Sequence, residues 1–278
     1  EACAEQPEAI TRVTVAGNTA MQQLLLGIDP SPLGESPFAP AFRAPQVVRA
    51  AQVGLACHSD AALVVFPQIG GFVGGDTVAD LLAAHADTLT RPTLLVDIGT
   101  NGEIALIHDG AILAASAAAG PAFEGARISQ GMRAARGAID QVWLHNGDLR
   151  VHVLGDAAPA GLCGSALVDA VAVLLTVGLV DETGALGLPA QRPPLLTDAL
   201  AKRLHASSDG PCFVIAETQG GAPVVLTQRD VRELQLASGA IRTAIEALLR
   251  RAGLSARDLD ADGWIKISAG QLVREGNQ

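Results

Sequence analysis

The strongest pattern of apolar and turn-forming positions lies at residues 94–107. Leu94-Leu95-Val96 and Ile104-Ala105-Leu106-Ile107 flank the segment Asp97-Ile98-Gly99-Thr100-Asn101-Gly102-Glu103. Two apolar runs joined by residues that tolerate positive φ predict a β-hairpin of buried strands. His108-Asp109-Gly110 then turns the second run into a third strand, Ala111 to Ser116.

The same patterning organises the rest of the chain. Val13-Thr14-Val15-Ala16 reads as a short strand, and Gly17-Asn18-Thr19 leads into a helix from Ala20 to Leu26, with Asn18 or Thr19 as its cap. Residues 29–45 carry five prolines, with Phe38 and Phe42 between them, and predict an extended loop that serves as a lid, a docking surface or packed cover. Ala62 to Pro67 is a strand, and Gly70-Gly71-Phe72-Val73-Gly74-Gly75 opens a helix from about Asp76 to His85. Residues 87–93 form a break before the central hairpin. Val142-Trp143-Leu144 and Leu149 to Val153 flank Asn146-Gly147, a second hairpin signal. Residues 181–223 are read as loop-rich, broken by Pro189, Pro193, Pro194, Pro211 and Pro223. Thr227-Gln228-Arg229-Asp230 resembles a capping box and opens the clearest helix, about 228–252, before a last strand, Trp264 to Ser268.

Composition narrows the function classes. A chain of 278 residues can bury a large core, and with no Tyr and few aromatics that core is built from Ala, Leu, Val and Ile. A formal charge of −10 argues against nucleic acid as a partner. The stretch Ala160 to Val180 is apolar enough to raise the question of a membrane span, but Asp169 sits in its middle and Gly161, Gly164 and Gly178 divide it, so it reads as a buried helix of a soluble domain. Cys3, Cys57, Cys163 and Cys212 are dispersed without a C-x-x-C pair, which argues against zinc ribbons and clustered iron–sulfur ligation and for reduced thiols in a cytoplasmic protein. Glu1 is not a start methionine, so the N-terminus is expected to be processed, trimmed or not the beginning of the gene.

The candidate chemistry centres on Asp97. A carboxylate at a buried strand end needs a hydrogen-bond partner or a cation. Gly99 allows close approach of a backbone, and Thr100 and Asn101 offer N–H and hydroxyl donors to a phosphate. An acid for Mg²⁺ beside phosphate donors is the minimum of a nucleotide site, although an ordinary hairpin with an Asx turn fits the same spacing. Asp76 is either a helix cap or a second acid. Glu124 is either catalytic or a surface group. Gly164 and Ser165 begin a helix that either binds an anion or packs closely. The glycine run at 70–75 does not fit a dinucleotide fingerprint, and no G-x-S-x-G or H-E-x-x-H is present.

Val96-Asp97-Ile98-Gly99-Thr100-Asn101-Gly102-Glu103 resembles a phosphate-binding hairpin of the superfamily of sugar kinases, actin and chaperone ATPases. More narrowly, the chain resembles the C-terminal ATPase region of the reductive activators of corrinoid proteins. Val15 to Met21, Phe72 to Thr77, Gly120 to Ala126, Gly161 to Asp169 and Leu226 to Ala237 carry that resemblance in order along the chain. It implies an α/β, ribonuclease-H-like ATPase fold, incomplete at the N-terminus, with a partial first subdomain at 1–90 and the hairpin-bearing subdomain at 91–278. The three successive antiparallel strands suit the opening of such a fold.

The function that the resemblance implies is ATP-dependent reductive activation of a corrinoid methyltransferase protein, with ATP and Mg²⁺ as cofactors. Asp97 would hold Mg²⁺, with Glu103 and Asp76 orienting water. Gly99, Thr100, Asn101, Gly102, Gly164 and Ser165 would hold the nucleotide. The implied partner is a corrinoid protein or corrinoid-dependent methyltransferase, with no membrane and no nucleic acid, and a homodimer is compatible. Only one Asp-x-Gly-Thr element is present, and its counterpart would belong upstream of residue 1 together with an iron–sulfur domain. The family's Gly-rich turn after the last strand is replaced by Ala269-Gly270-Gln271. These departures keep open a second reading, a docking module without ATP chemistry, and a third, a small-molecule kinase.

Overall fold

The computed structural model describes residues 6–99, 101–218 and 220–259, together with the backbone of 264–268 and 271–273. Thr100, one of the expected phosphate donors, lies outside the described residues, as does the Ala269-Gly270 turn. The chain divides into two compact units, the first formed by Glu1–Ile98, Gly102–Ala117 and Ala244–Gln278, the second by Gly99–Asn101 and Ala118–Thr243.

In the first unit, β1 (Arg12–Val15) leads through a Gly-Asn turn into α1 (Thr19–Leu25). Asn18 caps α1 by accepting from the Met21 N–H at 2.9 Å. The Pro-rich segment holds only a short 3-10 turn, Ser31–Gly34, and is followed by β2 (Gln46–Arg49), a strand with no clear signal in the sequence. β3 (Ala62–Val65) lies between the other two, parallel to β1 and antiparallel to β2. One face of this sheet buries Leu63 and Val65 against Val13, Val15, Val48 and Leu25. α2 (Gly75–Ala83) then begins against the start of α1. The Gly75 and Asp76 N–H groups both donate to the Gly17 carbonyl, at 2.9 and 3.2 Å. A Cβ on Gly74 would stand 2.6 Å from the Thr19 nitrogen, so only glycine permits this approach.

The central hairpin is β4 (Thr93–Ile98) and β5 (Gly102–His108), continued by β6 (Ala111–Ala117) in an antiparallel meander. Leu95, Ala105 and Ile107 leave one face and pack on Leu81 and Ala84 at the end of α2. Leu94, Ile104 and Leu106, on the other face, are fully buried as well. A sheet covered on both faces reads as continuous apolar runs, which is why the sequence signal here is dense rather than alternating.

The second unit carries β7 (Ala138–His145) and β8 (Asp148–Val153), a hairpin whose turn residues Asn146 and Gly147 both have positive φ, as the Asn-Gly signal required. β9 (Gly161–Leu162) runs parallel to β7 and enters α3 (Gly164–Thr176). The apolar stretch is therefore a helix of 13 residues that buries Leu167, Ala170, Val171 and Leu174 and exposes Val168 and Leu175, and no helix among the described residues is long and apolar enough to cross a membrane. After the short α4 (Asp198–Ala201), β10 (Leu204–Ser207), β11 (Gly210–Ala216) and β12 (Val224–Thr227) form an antiparallel sheet. The expectation of loop over 181–223 is corrected here. Pro211 sits near the start of β11, and the strand core Phe213-Val214-Ile215 is buried despite the surrounding turn residues.

α5 (Gln228–Arg251) starts on the capping pattern of Thr227 and Asp230, with the Asp230 N–H donating to Thr227 Oγ1 at 3.2 Å. β13 (Trp264–Ser268) and β14 (Gln271–Val273) return to the meander, giving the order β14-β13-β4-β5-β6. β13 runs parallel to β4. Three antiparallel strands followed by a parallel partner to the first is the arrangement expected of a ribonuclease-H-like half.

Candidate functional site

Strand register alone brings two acids together. Asp97 and Glu103 are ladder partners across β4 and β5, two residues beyond the Leu95–Ala105 pair, so they share the face that α2 covers. α2 adds Asp76 in its first turn and Asp80 one turn later. Helical spacing puts these two on one side of the helix. Four carboxyls of the first unit thus converge where the apolar contact between α2 and the hairpin ends.

Their electrostatics follow from burial and mutual repulsion. Glu103 is buried, and its carboxyl is pushed up to about 7, first by desolvation and then by the charges of Asp76 and Asp97. Ser116 Oγ is its hydrogen-bond donor at 3.5 Å. Asp80 is pushed up to about 7 by desolvation, by the charges of Asp97 and Asp76, and by a hydrogen bond with Asp97. Asp97 is raised by desolvation and by Asp76, while the Asp80 hydrogen bond acts in the opposite direction. Asp76 is anchored locally, its Oδ1 accepting from the Thr77 N–H at 2.8 Å. The N-cap is Gly74, not Asp76.

Asp80 is the member that sequence reasoning missed. Its signal was available in the i, i+4 spacing from Asp76, inside a helix whose neighbouring Thr77 and Leu81 are buried. Asp80 Oδ2 is shielded from solvent and has no hydrogen-bond partner. Buried carboxyls held up by like charge are chemically suited to a hard divalent cation. Among the described residues no three His, Cys, Asp or Glu side chains are grouped closely enough to hold a metal ion alone. Mg²⁺ does not need such a cage, since it commonly takes one or two carboxylates and fills its shell with water and phosphate oxygens. The residues therefore fit that ion.

The hairpin tip is tight. Gly99 N–H donates to the Asn101 carbonyl at 3.1 Å, and a Cβ on Gly99 would meet that oxygen at 3.5 Å. Gly102 closes the turn, paired with Ile98. In the second unit, Gly164 opens α3 with the Phe123 carbonyl packed where its side chain would be. Ser165 Oγ donates to the Asp140 carbonyl at 2.6 Å and lies 3.1 Å from Cys163 Sγ. Glu124 lies exposed in the turn that follows Pro121. Asp230 is a fully buried acid that sequence reasoning treated only as a cap, although it also accepts from Ser129 N–H at 2.7 Å and so pins the 121–131 loop.

Residues 91–263 match the family model for the C-terminal domain of RACo, the ASKHA domain, and residues 1–88 match that for the RACo middle region. A corrinoid activation enzyme, RamQ, of Eubacterium limosum is 34% identical over 255 residues, covering 90% of this chain and 42% of that protein. A Co(II) methylated amine-specific corrinoid protein reductase of Methanosarcina barkeri is 30% identical over 224 residues, covering 73% of this chain and 36% of that protein. The solved structure of a reductive activator for a corrinoid, iron–sulfur protein superposes with a TM-score of 0.80 at 29% identity, over 97% of this chain and 42% of that one. The chain thus spans about two fifths of the length of these relatives.

Proposed function

This chain belongs to the RACo family, spanning the middle region and the C-terminal ASKHA domain of its members, and from that premise we propose that it is the nucleotide-binding ATPase portion of a reductive activator of a corrinoid protein. The observation that carries the reading is the pairing of Asp97 with Glu103 beneath α2, at the root of a tight Gly99–Gly102 turn. Reducing an inactive Co(II) corrinoid is uphill, so ATP turnover must drive a change of state in the complex that makes electron transfer possible. The partner is a corrinoid protein or a corrinoid-dependent methyltransferase.

Asp97 holds Mg²⁺ in this proposal, with Asp80 beside it. Bound there, the ion neutralises charge on the nucleotide phosphates. The backbone of Gly99, Asn101 and Gly102, with Thr100, cradles phosphate; Gly164 and Ser165, at the start of α3, are further nucleotide-binding candidates. Glu103 and Asp76 orient water. Cys57, Cys163 and Cys212 are not disulfide-bonded, and among the described residues no cysteine cluster suits an iron–sulfur centre, so no electron step is assigned to these residues. The meeting of the two family matches between residues 88 and 91 supports a functional division near residue 90.

Calorimetry with Mg-ADP tests the proposal. Saturable binding that disappears on chelation of Mg²⁺ supports it. A corrinoid protein bound equally well with no nucleotide affinity would favour the docking module.

A further inference from the structure

Thr77 is fully buried on α2, and its hydroxyl has no hydrogen-bond partner. A threonine inside a helix can donate to the carbonyl four residues back, but Thr77 is the third residue of α2 and its counterpart lies before the N-cap Gly74. Elsewhere in the chain Thr176 and Thr243 do so, to Ala172 and Gly239, each at 2.8 Å. For Thr77 that carbonyl is Val73, and its oxygen already accepts the Ile69 and Gly70 N–H groups, both at 3.0 Å. The two acceptor positions of the carbonyl are occupied, which leaves the Thr77 hydroxyl without its local partner.

A second unpaired atom lies on the same side of the helix. Asp80 is three residues on, the spacing at which helical side chains are neighbours, and its Oδ2 is shielded from water and unpartnered. Leu81, one turn after Thr77, packs on Leu95 and Ala105, so this side of α2 faces the sheet that carries Asp97 and Glu103. Two buried polar atoms one helical turn apart, one able to donate or accept and the other an acceptor, match the needs of a single bridging water.

We propose that Thr77 Oγ1 and Asp80 Oδ2 hold an internal water between α2 and the β4–β5 hairpin. This makes Thr77 and Asp80 a positioning pair, in which the water fixes the Asp80 carboxyl and Asp80 in turn orients Asp97. The inference rests on the proposed nucleotide site only for what the water does to Asp97. The water itself requires no nucleotide.

The test is read without nucleotide or metal. Thr77→Val keeps the shape of the side chain and removes the hydroxyl, whereas Thr77→Ser keeps the hydroxyl. A water held by Thr77 loses a partner in the Val variant, whose melting temperature falls by about 2–4 °C, the shift expected for one hydrogen bond in a unit of this size. The Ser variant melts closer to the parent. A Val variant as stable as the parent or more so means that the hydroxyl was unpaired and the site dry, which overturns the proposal. A Ser variant that falls as far as Val shows that packing decides the effect, and also overturns it. A crystal structure of the parent chain gives an independent readout should either variant fail to fold: a water in contact with both atoms supports the proposal, and its absence from well-resolved density overturns it. Failure of Mg-ADP binding would strike the nucleotide reading and leave these outcomes untouched.

Discussion

Asp97 and Glu103 face each other directly across the antiparallel ladder of β4 and β5, two pairs beyond Leu95 and Ala105 and on the same face. Like charges placed opposite one another in a sheet are destabilising. The native chain avoids that cost by holding Glu103 neutral to about pH 7. The arrangement opposes stability and suits a cation, which makes its function separable from its fold.

Asp97→Asn separates them. Mg-ADP affinity falls by about tenfold or more, the loss expected when a charge-assisted contact worth ~1.5–3 kcal/mol is removed. The melting temperature does not fall, because one of the repelling carboxylates is gone. Calorimetry and a thermal melt on the same preparation check both halves, and equal affinity in variant and parent would remove Asp97 from the site.

Stability should decline as pH rises from about 5 to above 7 in Mg²⁺-free buffer. The folded-state values of Glu103 and Asp80 are raised to about 7, above the ordinary range of these acids. Between the two limits the folded chain binds more protons than the unfolded chain, so stability falls with rising pH. The contribution is complete below the unfolded values and lost as pH passes 7. Urea midpoints at pH 5 and pH 8 measure it, Glu103→Gln flattens the difference, and Mg²⁺ at pH 8 recovers part of the loss. A midpoint that rises over this interval would contradict the raised values.

Gly74→Ala should be costly where Gly34→Ala is not. A Cβ on Gly74 meets the Thr19 nitrogen at 2.6 Å and the Asn18 Cα at 2.7 Å, whereas nothing lies within 4 Å of one on Gly34. Overpacking against backbone costs about 1–3 kcal/mol, and a free surface change stays within about 0.5 kcal/mol. Denaturant midpoints of the two variants give the comparison, and similar values would show that α1 and α2 can separate without penalty.

Much of this fold is written in local chemistry. The central hairpin, the Asn146-Gly147 turn, the Asn18 cap and the long α5 each depend on short-range spacing and are legible before any coordinates. The β10–β11 hairpin is not, because Pro211 and polar turn residues mask a strand whose burial is decided by its neighbours. β2 is hidden similarly: Gln46-Val47-Val48-Arg49 is a short edge strand following the Pro-rich segment. In the site, Asp97, Glu103 and Asp76 announce themselves at strand and helix ends. Asp80 does not, since its meaning depends on α2 lying over the hairpin. Gly164 is ambiguous for the same reason: the Phe123 carbonyl packed against it becomes visible only in three dimensions.

The purified chain should carry no visible absorption band of an electron carrier. Its four cysteines are dispersed, and it has neither a flavin nor a nicotinamide fingerprint nor the Asp-x-His-x-x-Gly pattern that ligates cobalt. With a corrinoid protein, ATP and no added reductant, the corrinoid spectrum stays unchanged. An iron–sulfur or flavin band, or spontaneous reduction, would show that the chain stores electrons.

The burial of β5 has a consequence for what solvent can report. Ile104, Ala105 and Leu106 are fully buried in a strand with partners on both sides, while Asn101 at the turn beside it is exposed. Amide protons along this one strand and its tip therefore run on two clocks. Those of Ile104 to Leu106 exchange only when the sheet itself opens, and that of Asn101 follows excursions of the turn. A deuterium label read at single-residue resolution would thus distinguish a molecule that has gripped something at its tip from one that has become sturdier throughout.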